Sequence, residues 1–297
     1  LVEDDQTLQD IAVTCVEKLA SEGVVGIVGP HRSTNALAVE ATVKKHGVPS
    51  LTGGTTPAIT KLDNDYLFRC RASDAIFAAA AAAFAIDDLG AKKIGMLYNN
   101  DDFGSGAEGV VREYCESRGI AYVAEGHNTG DTDFTAQITK MSMEQVDAVI
   151  IWTHDPELAI HARQIYELGL DVNVVSSPGV TMKQVIDMCE AEYIEGWYGV
   201  TDYVYTADDP VVKDFDNRFY EKYGKHTELY SAAYYGAAVC LIEAIDRAGT
   251  TDREAVMKAL KETNNLQVPV GMMNCDENND LVHGIIVAKI VNKEPVY

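Results

Sequence analysis

The chain has 297 residues, of which 47% are hydrophobic and 24% charged. That balance excludes a disordered or fibrous polypeptide, and the length is that of about two domains able to fill a core without metals or disulfides. Lys and Arg number 24 against 46 Asp and Glu, a formal net charge of −22. This excludes the basic stripe of a nucleic-acid binder, and no apolar run approaches the ~18 residues of a membrane span.

The chain opens on Leu1-Val2-Glu3-Asp4-Asp5 without an initiator Met or a basic, apolar leader, a pattern expected where a strand ends and a helix begins. Leu8, Ile11, Ala12, Cys15, Val16 and Leu19 keep a helical apolar period that Gly23 ends. Residues 24–28 form a near-continuous apolar run, as in a buried parallel strand, broken by Gly29-Pro30. Ser33 stands where an N-cap is expected, ahead of a helix to about His46. The next strand is predicted at 48–51, followed by the loop Thr52-Gly53-Gly54-Thr55-Thr56-Pro57. From Ser73 a helix carries the alanine tract to Leu89, closed by Gly90. A second series of strands is predicted at 93–98, 120–124, 146–152 and 172–175, with helices at 106–118, 133–143 and 156–168. Three helical stretches follow at 210–223, 229–248 and 252–263, then short strands near 269–273 and 284–291. Alternating strands and helices imply parallel sheets with helices on both faces.

In open parallel sheets ligands bind beyond the carboxyl ends of the strands. In the first series these loops are Gly29-Pro30-His31-Arg32-Ser33-Thr34 and Thr52-Gly53-Gly54-Thr55-Thr56. Both are small, rich in hydroxyls and open to close backbone approach, and the helix start beside Ser33 favours an anion. They suit a carboxylate, although N-capping and turn chemistry produce the same composition. In the second series the corresponding loops are Asn99–Gly104, Trp152–Pro156 and Ser176–Gly179, whose Phe103 and His154 offer rings. No GxSxG, GxxxxGK[ST] or HExxH occurs, and Gly104-Ser105-Gly106 lacks the third glycine of a dinucleotide fingerprint. No enzyme, cofactor or metal is therefore expected. The six cysteines, at 15, 70, 115, 189, 240 and 275, form no CxxC and are expected as buried free thiols.

Taken in order, Gly29-Pro30-x-x-Ser33 with Ala38, Thr52–Pro57, Asn100–Gly106, Asp131–Thr135 and Asp276–Asp280 resemble the leucine/isoleucine/valine-binding type of periplasmic solute-binding protein over almost the whole chain. The resemblance implies an α/β fold of two doubly wound Rossmann-like lobes joined by three hinge crossings, with a solute held in the cleft between them and no catalysis. The expected lobes are 1–72 with 204–277, and 73–203 with 278–297, with crossings near Arg71–Ser73, Thr201–Tyr205 and Asp276–Asp280. The resemblance also implies a strand and a helix ahead of Leu1. Ser33, with Thr34, Gly54, Thr55 and Thr56, would hold a carboxylate, with Arg32 as an added cation. Phe103 and His154 match positions that are commonly Tyr. Where such proteins often place an acid for the ligand amine, this chain reads Ser176-Ser177-Pro178-Gly179. Either another acid serves, Asp202 or Asp101, or the ligand has no amine. The implied candidate set is thus Arg32, Ser33, Thr34, Gly54, Thr55, Thr56, Phe103, His154, Ser177 and Asp202, and the implied cysteine pair of the first lobe has no match. The expected role is the extracytoplasmic solute-binding component of an ABC transporter, periplasmic or extracellular, binding a small amino acid or related carboxylate, with a membrane permease as partner. A ligand-sensing ectodomain or regulator on the same fold is the alternative.

Overall fold

The computed structural model describes every residue except His283, and of Thr60 and Val282 the backbone alone. The chain forms two compact units, residues 1–73 with 230–284, and residues 74–229 with 285–297, so that it passes from one to the other at 73/74, 229/230 and 284/285.

Up to residue 73 the elements are α1 (Gln9–Ser21), β1 (Ile27–Val28), α2 (Ser33–His46), β2 (Ser50–Thr52) and β3 (Leu67–Arg69). From 74 to 229 they are α3 (Asp74–Ala83), β4 (Lys93–Asn99), α4 (Asp102–Arg118), β5 (Ala121–His127), α5 (Thr135–Met143), β6 (Ala148–Trp152), α6 (Asp155–Glu167), β7 (Asn173–Ser176), α7 (Lys183–Met188), α8 (Ala191–Ile194), β8 (Tyr198–Thr201) and α9 (Pro210–Tyr223). The remainder comprises α10 (Leu229–Ala248), α11 (Arg253–Lys261), β9 (Leu266–Val268), β10 (Gly271–Cys275), β11 (Leu281–Val282), β12 (Ile286–Val291) and β13 (Glu294–Val296).

In the first unit β1, β2 and β3 pair in parallel in that order. Ala12, Val16 and Ala20 of α1 meet Ala36, Val39 and Val43 of α2 in one core, the i, i+4 face that the apolar period of both helices builds. β1 is shorter than the apolar run at 24–28 predicts, because the Val24 amide donates to Leu19 O at the end of α1 (3.4 Å). Gly26 lies under Leu241 of α10, where a Cβ would stand 2.7 Å from its side chain. β9, β10 and β11 form a separate antiparallel sheet.

The second unit is built on a seven-stranded sheet of order β13-β12-β8-β7-β6-β4-β5. β8, β7, β6, β4 and β5 run parallel, while at one end β12 runs antiparallel to β8 and β13 antiparallel to β12. All five residues of β6, Ala-Val-Ile-Ile-Trp, are buried, as a parallel strand covered on both faces requires. Phe134, Ile138 and Met141 pack with Leu158, Ala162 and Ile165 over Val149 and Ile151. The alanine tract forms α3, whose Ala78, Ala81 and Ala82 are buried, and continues into a wider π turn at Phe84–Asp88. α7, α8 and β13 lie where the sequence predicts no element, and two further departures have a visible cause. α4 starts four residues early, at Asp102, because the Asp101 carboxylate caps it by accepting from the Gly104 amide (3.0 Å). β8 falls within a stretch that reads as loop. Its Gly199 is required by packing, since a Cβ there would stand 2.6 Å from Val180 and Thr181.

The six cysteines are free, four buried and Cys15 and Cys275 half-buried.

Candidate functional site

Each unit places a polar cluster beyond the carboxyl ends of its parallel strands. In the first unit the two loops following β1 and β2 are laced together. Ser50 Oγ donates to Gly29 O (2.7 Å) and Thr52 Oγ1 to Pro30 O (2.7 Å). The Gly53 amide donates to Pro30 O (3.1 Å) and the Gly54 amide to Thr52 Oγ1 (3.1 Å). Gly54 packs closely, since a Cβ there would stand 3.1 Å from Ser33 Cα, a tight contact. Gly53 lies beneath Tyr234, whose hydroxyl bonds His31 Nδ1 (2.7 Å).

Ser33 is not the N-cap of α2. Arg32 takes the cap geometry and its side chain makes no cap bond, so Ser33 is the first helical residue and, among the described residues, no side chain caps the leading amides of the helix. The Ser33 oxygen is occupied differently: it accepts from the Thr55 amide (3.1 Å) and the Thr56 amide (3.2 Å). A serine hydroxyl has two acceptor positions and one proton. With both acceptor positions filled, what Ser33 offers outward is its O–H. The cradle is therefore not a set of open loop amides but a buried hydroxyl, 3% exposed, polarised by two N–H groups, beside a helix N-terminus. Thr55 and Thr56 are buried as well, and Thr56 Oγ1 caps the turn at Pro57–Lys61 by accepting from Ala58 (3.5 Å). Arg32 and Thr34 are half-buried beside them.

In the second unit the neighbouring parallel strands β8, β7, β6 and β4 end along one sheet edge, and Asp202, Ser177, His154 and Phe103 follow them. Three residues are in contact there. Asp101 uses one oxygen to cap α4 and the other to bond His154 Nε2 (2.6 Å). The Phe103 ring stacks on His154, with centroids 5.2 Å apart and planes inclined by 23°. Ser177 and Asp202 are buried on the same edge, and the Ser177 hydroxyl reaches Thr153 O at 3.5 Å. Asp101 is thus committed to two structural bonds, which removes it as a simple substitute for the acid missing at 176–179.

Asp155, for which the sequence suggests no role within the loop Trp152–Pro156, stands against that turn. A Cβ on Gly179 would lie 2.8 Å from its Oδ1. Its charge adds to the upward push that burial gives the Glu228 carboxyl. The only advance signal was its place beyond a strand, directly ahead of the predicted helix. A cavity of about 590 Å³ in the first unit, between residues 1–5 and the 26–31 segment, is lined by none of the ten candidate residues.

The periplasmic binding protein family model matches residues 1–295. The leucine-, isoleucine-, valine-, threonine-, and alanine-binding protein of Pseudomonas aeruginosa is 27% identical over 283 residues, 95% of this chain and 75% of that protein. The crystal structure of a leucine binding protein, LivK, from Thermotoga maritima superposes with a TM-score of 0.93 at 28% identity, covering 98% of this chain and 84% of the other. The structure of LivJ from Streptococcus pneumoniae, a substrate binding protein of a branched-chain amino acid transporter, shares the fold with a TM-score of 0.91 at 22% identity, over 99% and 84%. With residues 1–295 of its 297 matched and an α/β pattern in each of its two units, the chain belongs to the periplasmic binding protein family.

Proposed function

We propose that the protein is the extracytoplasmic solute-binding component of an ABC transporter, delivering a small amino acid with an aliphatic side chain to a membrane permease, and that it performs no catalysis. The observation that carries this reading is Ser33: a buried hydroxyl whose two acceptor positions are filled by the Thr55 and Thr56 amides, so that its proton is presented beside the uncapped start of α2. That arrangement donates to a carboxylate and does not accept from an amine. Gly54, Thr55 and Thr56 shape the loop that holds it, with Thr34 and Arg32 beside it. In the second unit the Phe103–His154 stack offers an aromatic wall. Asp155, with Ser177 and Asp202 on the same strand edge, offers the acid for an ammonium group. The names of the relatives in Pseudomonas and Thermotoga favour aliphatic amino acids.

Calorimetric titration with L-leucine and with 4-methylpentanoate, the same skeleton without the amine, tests the reading. L-Leucine is expected to bind and 4-methylpentanoate to bind more weakly. A hydrogen bond to a charged acceptor is worth about 1.5–3 kcal/mol, so Ser33→Ala should weaken binding by about 10- to 100-fold while the thermal midpoint of the free protein holds. Unchanged affinity in Ser33→Ala overturns the assignment. Equal affinity for the two compounds overturns the acidic part of it.

A further inference from the structure

Arg69, the last residue of β3, is wholly buried, at 0% exposure. Its Nη1 donates to the carbonyls of Thr55 (3.3 Å) and Thr56 (2.9 Å), and its Nη2 donates to the Asp280 carboxylate. Asp280 lies 211 residues further along the chain. It is held beside β3 by the turn that precedes it: Asp276 accepts from the amides of Asn278 and Asp280 (2.9 Å each), and the Arg69 amide donates to Asn279 O (3.0 Å). The Asn279 side chain donates to Asn64 O (3.0 Å) and Leu67 O (3.3 Å). The acidic run at 276–280 is therefore an anchor on the edge of β3.

The carbonyl of Thr55 and the amide of Thr56 belong to one peptide unit, which is planar and stiff. Arg69 holds its oxygen and Ser33 receives its N–H. Fixing the carbonyl end therefore fixes the direction of the N–H. That N–H, with the Thr55 amide, decides which lone pairs of Ser33 are filled and where its proton points. The ion pair itself is poorly satisfied, because Arg69 Nε and Asp280 Oδ1 have no hydrogen-bond partner among the described residues. Such a pair adds little stability over apolar side chains of the same volume, so stability alone does not account for it.

We propose that Arg69, locked by Asp280, is a positioning residue for solute binding: acting through the Thr55–Thr56 peptide, it aims the Ser33 hydroxyl at the bound carboxylate. The proposal rests on the assignment of Ser33 to the solute. The test compares the wild type with Arg69→Met/Asp280→Leu, which leaves no unpaired charge, with Arg69→Lys and with Ser33→Ala. Amide hydrogen exchange by NMR is read without solute, and affinity for L-leucine and 4-methylpentanoate is read by calorimetry. The double variant is expected to keep its urea midpoint and the protection of the Ile27 and Ser50 amides. Exchange at Thr55 and Thr56 should speed by tenfold or more, with a matching loss of affinity, and Arg69→Lys should recover part of both. If the double variant fails to fold, Arg69→Lys carries the same comparison, since it keeps the charge and loses the two-carbonyl fork. Unchanged exchange at Thr55 and Thr56 overturns the proposal, as does faster exchange with undiminished affinity where Ser33→Ala is impaired. Wild-type affinity in Ser33→Ala removes the site reading itself, and the role of Arg69 with it.

Discussion

Replacing His161 by leucine should make the second unit less sensitive to acid. The imidazole sits on the inner face of α6 at 0% exposure. It packs edge-on against Phe134, with centroids 3.8 Å apart, and against His127 at 5.0 Å. Neither ring nitrogen finds a hydrogen-bond partner among the described residues. Burial above all, and then the neighbouring His127, push its pKa down to about 3. In the unfolded chain a histidine takes up its proton near pH 6.5. The unfolded state therefore binds the proton first, and the folded state loses stability as pH falls below about 6.5 and keeps losing it until about 3. At 1.36 kcal/mol per unit of pKa difference, titrating the unfolded histidine between pH 7.5 and pH 5.0 costs about 2 kcal/mol. Leucine has no proton to take up. The stability difference between His161→Leu and wild type should therefore shift by about 2 kcal/mol in favour of the variant over that interval. His127, also lowered chiefly by burial, is kept in both proteins and largely cancels. Both tryptophans, Trp152 and Trp197, lie in the same unit as His161, so urea unfolding followed by tryptophan fluorescence reports the relevant transition. Curves for the two proteins that move in parallel from pH 7.5 to 5.0 would refute the reasoning.

Other substitutions read the packing and the capping. Gly104→Ala would set a Cβ 2.1 Å from the carbonyl oxygen of Asn99, a backbone contact that cannot swing away. A loss of about 3 kcal/mol is expected, and a thermal midpoint within a degree of wild type would contradict it. Arg253→Met keeps the aliphatic stem but gives up bonds to Val24 O (2.8 Å), Ala20 O (2.8 Å) and His46 O (3.2 Å). Because the site is half-exposed and water replaces part of each bond, the expected cost is about 2–4 kcal/mol, measured by urea unfolding followed by circular dichroism. Asp209 accepts from Val211 (2.7 Å) and Val212 (3.2 Å) at the start of α9. Asp209→Ala should cost about 1 kcal/mol in the same assay and leave solute affinity untouched.

Much of the architecture was legible because parallel strands covered on both faces must be continuously apolar. The strand predicted at 146–152 is such a run after Asp147, and its residues 148–152 form β6. β8 was hidden by Gly199, which in sequence reads as a breaker and in space is the only residue that fits under Val180 and Thr181. Likewise Gly104, half of a near-match to a nucleotide motif, is there so that α4 can approach β4. Ser33 stood out as a site residue, but its place as the N-cap of α2 was misread. Its hydroxyl serves a loop more than twenty positions away instead of its own helix, and no local pattern encodes a long-range acceptor. Arg69 gave no signal at all. A cation at the end of a strand reads as surface charge until the fold delivers Asp280 and two threonine carbonyls to its guanidinium.

One late side chain sets an order of assembly. Arg253 closes the carbonyl ends of α1 and α2 through Ala20 O and His46 O, and α10 covers Gly26. During synthesis residues 1–73 must wait for roughly 180 further residues before their helices are sealed. The intervening 74–229 segment meanwhile has every parallel strand of its own sheet. A ribosome-bound chain stopped short of Arg253 would leave the helices of residues 1–73 unsealed and the sheet of the second unit without β12 and β13. Each unit is thus closed by chain made late: residues 1–73 wait for α10 and Arg253, and the 74–229 segment waits for β12 and β13.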